Sequence, residues 1–150
     1  MSRNLKVGPY FIGDDHPCFI TFEAGPTHDG IDTALKLVEK AHLSGAQAIK
    51  FQIFDADKLV SDKNQLFKYS ILKNKETNEL EEISEPLYDI LKRRQLSPDE
   101  WKKIKSKADE LNLAFFATIG FEEDLKLISE FGCQSVKIAS ADVNHFPLLR

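Results

Sequence analysis

Lys50 and Gln52 stand in a stretch that reads Ala48-Ile49-Lys50-Phe51-Gln52-Ile53. Side chains along a strand point to alternate faces, so Lys50 and Gln52 share one face while Ile49, Phe51 and Ile53 share the other. The same rule groups Thr21 with Glu23 against Ile20 and Phe22. It groups Phe116 with Thr118, and Ser135 with Lys137 against Val136 and Ile138. An unpaired charge inside a fold costs on the order of several kcal/mol, so these charges are not placed there for stability. Converging lysines suit an anion such as a phosphate or a carboxylate, and Thr118 and Ser140 add hydroxyl donors. One strand lysine alone has a plainer explanation, as an edge charge with its head in water. Glu23 and Lys50 alone read as a structural ion pair. Four successive strands that obey one rule favour a site.

The elements that must carry these residues alternate along the chain. Residues 5–17 read as a small hairpin or cap, with Gly13-Asp14-Asp15 as its turn. A strand over Cys18–Ala24 precedes a helix over about Ile31–Ser44, with Ile31, Leu35, Val38 and Ala41 on one face and Gly45 past its end. A strand over Ala48–Phe54 leads into a long polar connection, residues 55–83, which includes a charged tract at 73–82 read as a solvated loop. Ser84-Glu85-Pro86 caps a short helix carrying Leu87, Ile90 and Leu91. Ser97, Pro98 and Glu100 form a capping box that starts the next helix, whose buried stripe is Trp101, Ile104, Ala108 and Leu111. A strand over Ala114–Ile119, a helix over about Glu122–Phe131 and a strand over Ser135–Ala139 complete the pattern.

Short apolar strands separated by amphipathic helices indicate an α/β fold with a buried parallel sheet. A doubly wound sheet and a (β/α)8 barrel both suit the pattern, and the missing GxGxxG after the first such strand counts against the former. Function in a barrel gathers at the C-terminal ends of its strands. The chain has 150 residues, 42% of them hydrophobic, enough for one core. A net charge of -4 argues against a nucleic-acid or membrane surface. Cys18 and Cys133 read as buried thiols of a cytoplasmic protein rather than a disulfide framework. His28 is a turn histidine, expected to be solvated and held as a candidate substrate contact. Asp29-Gly30 reads as turn chemistry, His16 and His42 as structural or exposed, and Arg93-Arg94 as a surface pair. The final Phe146-Pro147-Leu148-Leu149-Arg150 looks like the first turn of a helix, which suggests a fragment or a truncated product.

Together these residues resemble the sialic acid synthase family, including the pseudaminic and legionaminic acid synthases. The family carries a strand ending in a glutamate and then a turn with His and Gly, here Glu23 and His28-Asp29-Gly30. Its GA-x-x-x-K-x-Q strand is here GAQAIKFQ, residues 45–52. Its STPF-like strand end is here ATIGF, and its K-I-A-S-x-D/E element is here KIASAD, residues 137–142, followed by NHFPLL. The resemblance runs from about residue 5 to Arg150, and the order and spacing of the motifs are more specific than any one of them.

The resemblance implies a (β/α)8 barrel of which this chain covers about the first four strands, with residues 1–17 as a cap and 18–150 as the barrel half. It implies condensation of phosphoenolpyruvate with the aldehyde of an N-acylated amino sugar to a nine-carbon 2-keto acid sugar, in surface-carbohydrate biosynthesis. On that pattern Lys50, Thr118, Lys137 and Ser140 bind phosphoenolpyruvate, Glu23 and Gln52 contact the sugar side, and Asp142 sits near the reacting carbons. Glu23 and Asp142 are the acid–base candidates. A divalent metal, Mn2+ or Mg2+, polarises the aldehyde, with its ligands on later strands beyond residue 150. A homodimer is implied for the full-length protein, and no turnover for residues 1–150 alone. Two departures bear on the acceptor sugar: Thr27 stands where the family has asparagine, and Ile119-Gly120 replaces the proline of the STPF element. Another barrel aldolase acting on a phosphorylated substrate is the alternative, and a non-catalytic half-barrel module is a third.

Overall fold

The computed structural model describes residues 4–150. Among these residues fourteen strands and α-helices follow one another. In chain order they are β1 (Leu5–Val7), β2 (Tyr10–Ile12), β3 (Thr21–Gly25), α1 (Ile31–Leu43), β4 (Ala48–Gln52), α2 (Ala56–Leu59), β5 (Leu66–Asn74), β6 (Glu79–Pro86), α3 (Leu87–Lys92), α4 (Pro98–Glu110), β7 (Ala114–Ile119), α5 (Glu122–Glu130), β8 (Lys137–Ile138) and α6 (Phe146–Leu149). They divide into two compact units, one of Met1–Phe54 with Leu96–Arg150 and one of Asp55–Gln95.

The larger unit is an α/β fold around a parallel sheet of order β3-β4-β7-β8. The order follows the sequence without reversal. Its core joins Ile49, Phe51, Phe115 and Ala117 of the strands to Ala34, Val38 and Ala41 of α1, Trp101, Ile104 and Ala108 of α4, and Ile128 of α5. All three helices therefore cover the same sheet face. A doubly wound sheet differs on both counts, since its strand order reverses and its helices lie on both faces. Helix α4 starts as the sequence indicates: the Ser97 amide donates to Glu100 Oε2 at 2.8 Å, and the Glu100 amide donates to Ser97 Oγ at 3.4 Å.

The N-terminal hairpin is present, but its turn is Gly8-Pro9 rather than Gly13-Asp14-Asp15. Gly8 has φ of 58°, and a Cβ there would lie 2.9 Å from Ala114 Cβ, at the start of β7. Only glycine meets both demands, so the hairpin tip is pressed against the N-terminal end of the sheet. The Tyr10 hydroxyl fixes it further by donating to the Asn112 carbonyl at 2.9 Å. The Gly13 turn follows β2 and is closed by the His16 amide on the Gly13 carbonyl. His16 stacks on Phe11. Cys18 is exposed, not buried, because β3 begins only at Thr21. Cys133 is half-buried, and burial pushes its thiol up to about 11.

The smaller unit corrects the reading of residues 55–83 as a polar connection with a solvated loop at 73–82. It contains α2, an antiparallel hairpin of β5 and β6, and α3. The tract at 73–82 is the tip of that hairpin, and Ser84 and Glu85 belong to β6 instead of a helix cap. Arg93 donates to both oxygens of Glu85 at 2.7 Å. The carboxyl of Glu85 is held down to about 2 by Arg93 and then by the Tyr69 hydroxyl. Asp57 accepts from Lys63, Lys92 and Tyr88, which holds its carboxyl well below the usual range.

Candidate functional site

Parallel register decides which side chains are neighbours. Glu23 is paired with Lys50, and Lys50 with Phe116. One step toward the C-terminal ends, Gln52 is paired with Thr118, and Thr118 with Lys137. In-register residues of adjacent strands face the same way. The alternation then places Glu23, Lys50, Gln52, Phe116, Thr118 and Lys137 on the sheet face that α1, α4 and α5 leave uncovered. Phe51 and Ile49 point into the helix-covered core.

The lower row is closed by a direct contact. Lys50 Nζ donates to Glu23 Oε1 at 2.8 Å and to Oε2 at 2.7 Å. The lysine side chain is only 12% exposed, the glutamate 60%. A bulge separates Glu23 from Gly25, whose φ of 51° bends the strand end. Bulges re-aim side chains at functional rims. In the upper row Thr118 is buried, Gln52 is half-buried and Lys137 is exposed.

Ser140 and Asp142 lie just past β8, in a single 3-10 turn, Ser140–Asp142, at the same end of the sheet. The strand carrying Lys137 is Lys137–Ile138, shorter than the Ser135–Ala139 expected, because it pairs only with β7. The Ile119-Gly120-Phe121 element follows Thr118 directly. There Asp124 Oδ2 accepts from the amides of Gly120 and Phe121 at 3.1 and 3.0 Å. That capping carboxylate fixes the turn beyond Thr118. The sequence pattern alone does not single it out, although a carboxylate three residues into a helix is a capping signal.

His28 departs from its expected place. It is fully buried, not solvated, and its ring meets Phe51 and Trp101 edge to face, each centroid 6.0 Å away. The turn after β3 folds back, with the Thr27 amide and hydroxyl both donating to the Ala24 carbonyl at 3.4 and 2.8 Å. His28 thereby joins the helix-covered core, on the opposite side of the sheet from Lys50. His42 is exposed, and Arg93 is committed to Glu85. Among the described residues no group of three or more His, Cys, Asp or Glu is arranged to hold a metal ion. The described residues therefore do not fit a metal centre of their own.

The sequence pattern of the NeuB family matches residues 37–150. The chain belongs to that family. Among its NeuB-like relatives, the spore coat polysaccharide biosynthesis protein SpsE of Bacillus subtilis is 33% identical over 148 residues, which cover 97% of this chain and 37% of that protein. The N,N'-diacetyllegionaminic acid synthase of Legionella pneumophila is 32% identical over 152 residues, covering 100% of this chain and 41% of that one. The N-acetylneuraminic acid synthetase of Leptospira borgpetersenii, solved in complex with citrate, superposes with a TM-score of 0.76 at 29% identity, over 99% of this chain and 45% of that one. A phospho-2-dehydro-3-deoxyheptonate aldolase of Thermotoga maritima shares the fold at 14% identity, with a TM-score of 0.62. The chain thus spans less than half the length of these relatives. Relatives of the chain thus include synthases of legionaminic and N-acetylneuraminic acid. Among the described residues no helix is long and apolar enough to cross a membrane.

Proposed function

We infer that this chain forms the first half of a (β/α)8 barrel synthase that condenses phosphoenolpyruvate with the aldehyde of an N-acylated amino sugar. The product of that reaction is a nine-carbon 2-keto acid sugar, with phosphate released. The observation that carries the reading is the register of Glu23, Lys50, Gln52, Thr118 and Lys137 on the sheet face that α1, α4 and α5 leave uncovered. Sequential strand order with helices on a single face is what a barrel half requires.

In this reading Lys137 and Lys50 supply positive charge to the phosphate and carboxylate of phosphoenolpyruvate, and Thr118 and Ser140 add hydroxyl donors. Gln52 and Glu23 turn toward the sugar, and Asp142 with Glu23 handles protons near the reacting carbons. His28 we assign to the core, where its aromatic contacts hold the turn beneath Glu23. A divalent metal, Mn2+ or Mg2+, would take its ligands from beyond residue 150. A homodimer and a cytoplasmic location accompany the same reading. A Schiff-base aldolase would instead need a lysine as nucleophile, whereas Lys50 is engaged by two carboxylate oxygens. Borohydride with a keto acid is accordingly expected to leave Lys50 and Lys137 unlabelled.

The test is calorimetric titration of the full-length protein with phosphoenolpyruvate. Lys137→Met and Lys50→Met should each weaken binding by about tenfold or more, the scale of a lost charge-assisted contact. Lys40→Met, on an exposed part of α1, should change nothing. Unchanged affinity in both site variants would sink the anion-site reading.

A further inference from the structure

The two lysines of the site are not in the same state. Among the described residues Lys137 forms no ion pair, and it is exposed. Lys50 is neutralised by Glu23 through contacts at 2.8 and 2.7 Å. The pair is lopsided: the lysine is nearly covered and the carboxylate more than half in solvent. The backbone under the carboxylate is irregular too, with the bulge between Glu23 and Gly25 and a φ of 51° at Gly25.

We propose that Glu23 is a built-in competitor for the anion site, holding on Lys50 the place that the anionic substrate takes. The proposal rests on the reading of this sheet face as a phosphoenolpyruvate site. An ammonium carries one charge and three donors. A second anion brought up while Glu23 stays in place meets a like charge at contact distance, which disfavours it. Binding therefore requires the carboxylate to leave. Glu23 can leave at small cost, because it is already largely hydrated, whereas Lys50 is held by the sheet around it. Lys137 draws the anion in, and the anion then takes Lys50 from Glu23. The freed carboxylate swings toward the solvent side, where a second substrate arrives. While the site is empty, the same contact keeps the buried lysine paired.

Inorganic phosphate is the probe, titrated calorimetrically into the full-length protein and its variants. Glu23→Gln keeps the shape and removes the competing charge. It is expected to bind phosphate about fivefold more tightly, the fold-change carried by an ion pair of this exposure. Glu23→Asp, a shorter carboxylate, should tighten binding less and serves if the first variant folds poorly. Glu110→Gln removes an exposed carboxylate from the C-terminal end of α4 and should leave phosphate affinity unchanged. Equal tightening in Glu110→Gln would mean a general charge effect and would overturn the proposal. Unchanged or weaker binding in Glu23→Gln, with affinity lost in Lys50→Met, would also overturn it while leaving the anion site intact. Wild-type affinity in both Lys50→Met and Lys137→Met would mean that the anion-site reading itself is wrong, and the competitor with it.

Discussion

The two units of this chain use charge in different ways. In Asp55–Gln95 the charges are local and satisfied: Arg93 on Glu85, Lys63 and Lys92 on Asp57, and the exposed cross-strand pairs Lys68–Glu82 and Lys73–Glu79. These contacts join residues of the hairpin, of the helices that flank it or of the segments beside them, and exposed pairs of that kind contribute little. The parallel-sheet unit has local pairs too, such as Lys105–Asp109 and Lys107–Glu110 on α4, but there Glu23, Lys50 and Lys137 also come from separate strands and share one face. Lys50, which reaches Glu23 on the neighbouring strand, is nearly covered. Local pairing needs only neighbouring residues, while the shared face of Glu23, Lys50 and Lys137 needs the parallel sheet to bring three strands together.

The sharpest way to break this contrast is to remove packing from each unit. Phe51 is fully buried among Trp101, Phe115 and His28. Phe51→Ala should destabilise the protein by about 3–5 kcal/mol in urea unfolding. Leu80, 64% exposed on the hairpin, should tolerate Ser within about 0.5 kcal/mol. Comparable losses at both positions would mean that the hairpin is packed in solution against something that buries it.

A smaller effect concerns capping. Ser97→Ala removes one half of the box that starts α4 and should cost about 1 kcal/mol. The same readout applies, and no change would show that the helix start is fixed by core packing alone.

The smallest effect is expected from acid. Glu85 is held down to about 2 by Arg93, from an ordinary value of 4.5. A carboxyl lowered in the folded state contributes fully above its unfolded value and loses that contribution as the pH falls toward the folded one. The hairpin contact should thus be intact at neutral pH and fade between about 4.5 and about 2. The carboxyl carbon shift of Glu85 in NMR reports this directly, with Glu85→Gln as the silent control. A midpoint at 4.5 would show that the pair is not formed in solution.

Much of the sheet unit is legible in the sequence, for physical reasons that differ by element. The strand Ala114–Ile119 and the capping box at Ser97 are written in adjacent residues, and both come out as read. Alternation gave the shared face of Lys50 and Gln52, since a strand leaves a side chain only two directions. The hairpin was hidden because both its faces meet water: Phe67, Tyr69 and Ile71 alternate with Lys68 and Ser70, but Glu79-Leu80-Glu81-Glu82 reads as a polar loop. It is the cross-strand pairing, not a buried face, that fixes such an element. His28 was misplaced because the burial of a turn residue depends on how the turn folds back, which no periodicity records. Gly8 is similar, because its contact with Ala114 joins residues far apart in the chain.

The central claim is that the uncovered sheet face serves a condensation on phosphoenolpyruvate. The most direct measurement is sugar-dependent phosphate release by the full-length protein, with phosphoenolpyruvate, manganese and a set of N-acylated amino sugars that includes N-acetylmannosamine. Release should require both substrates and collapse in Lys137→Met. Residues 1–150 alone should release none, because β3 and β8 each pair on one side only. Release by Lys137→Met at the wild-type rate and KM, or steady turnover by residues 1–150 as a monomer, would contradict the claim.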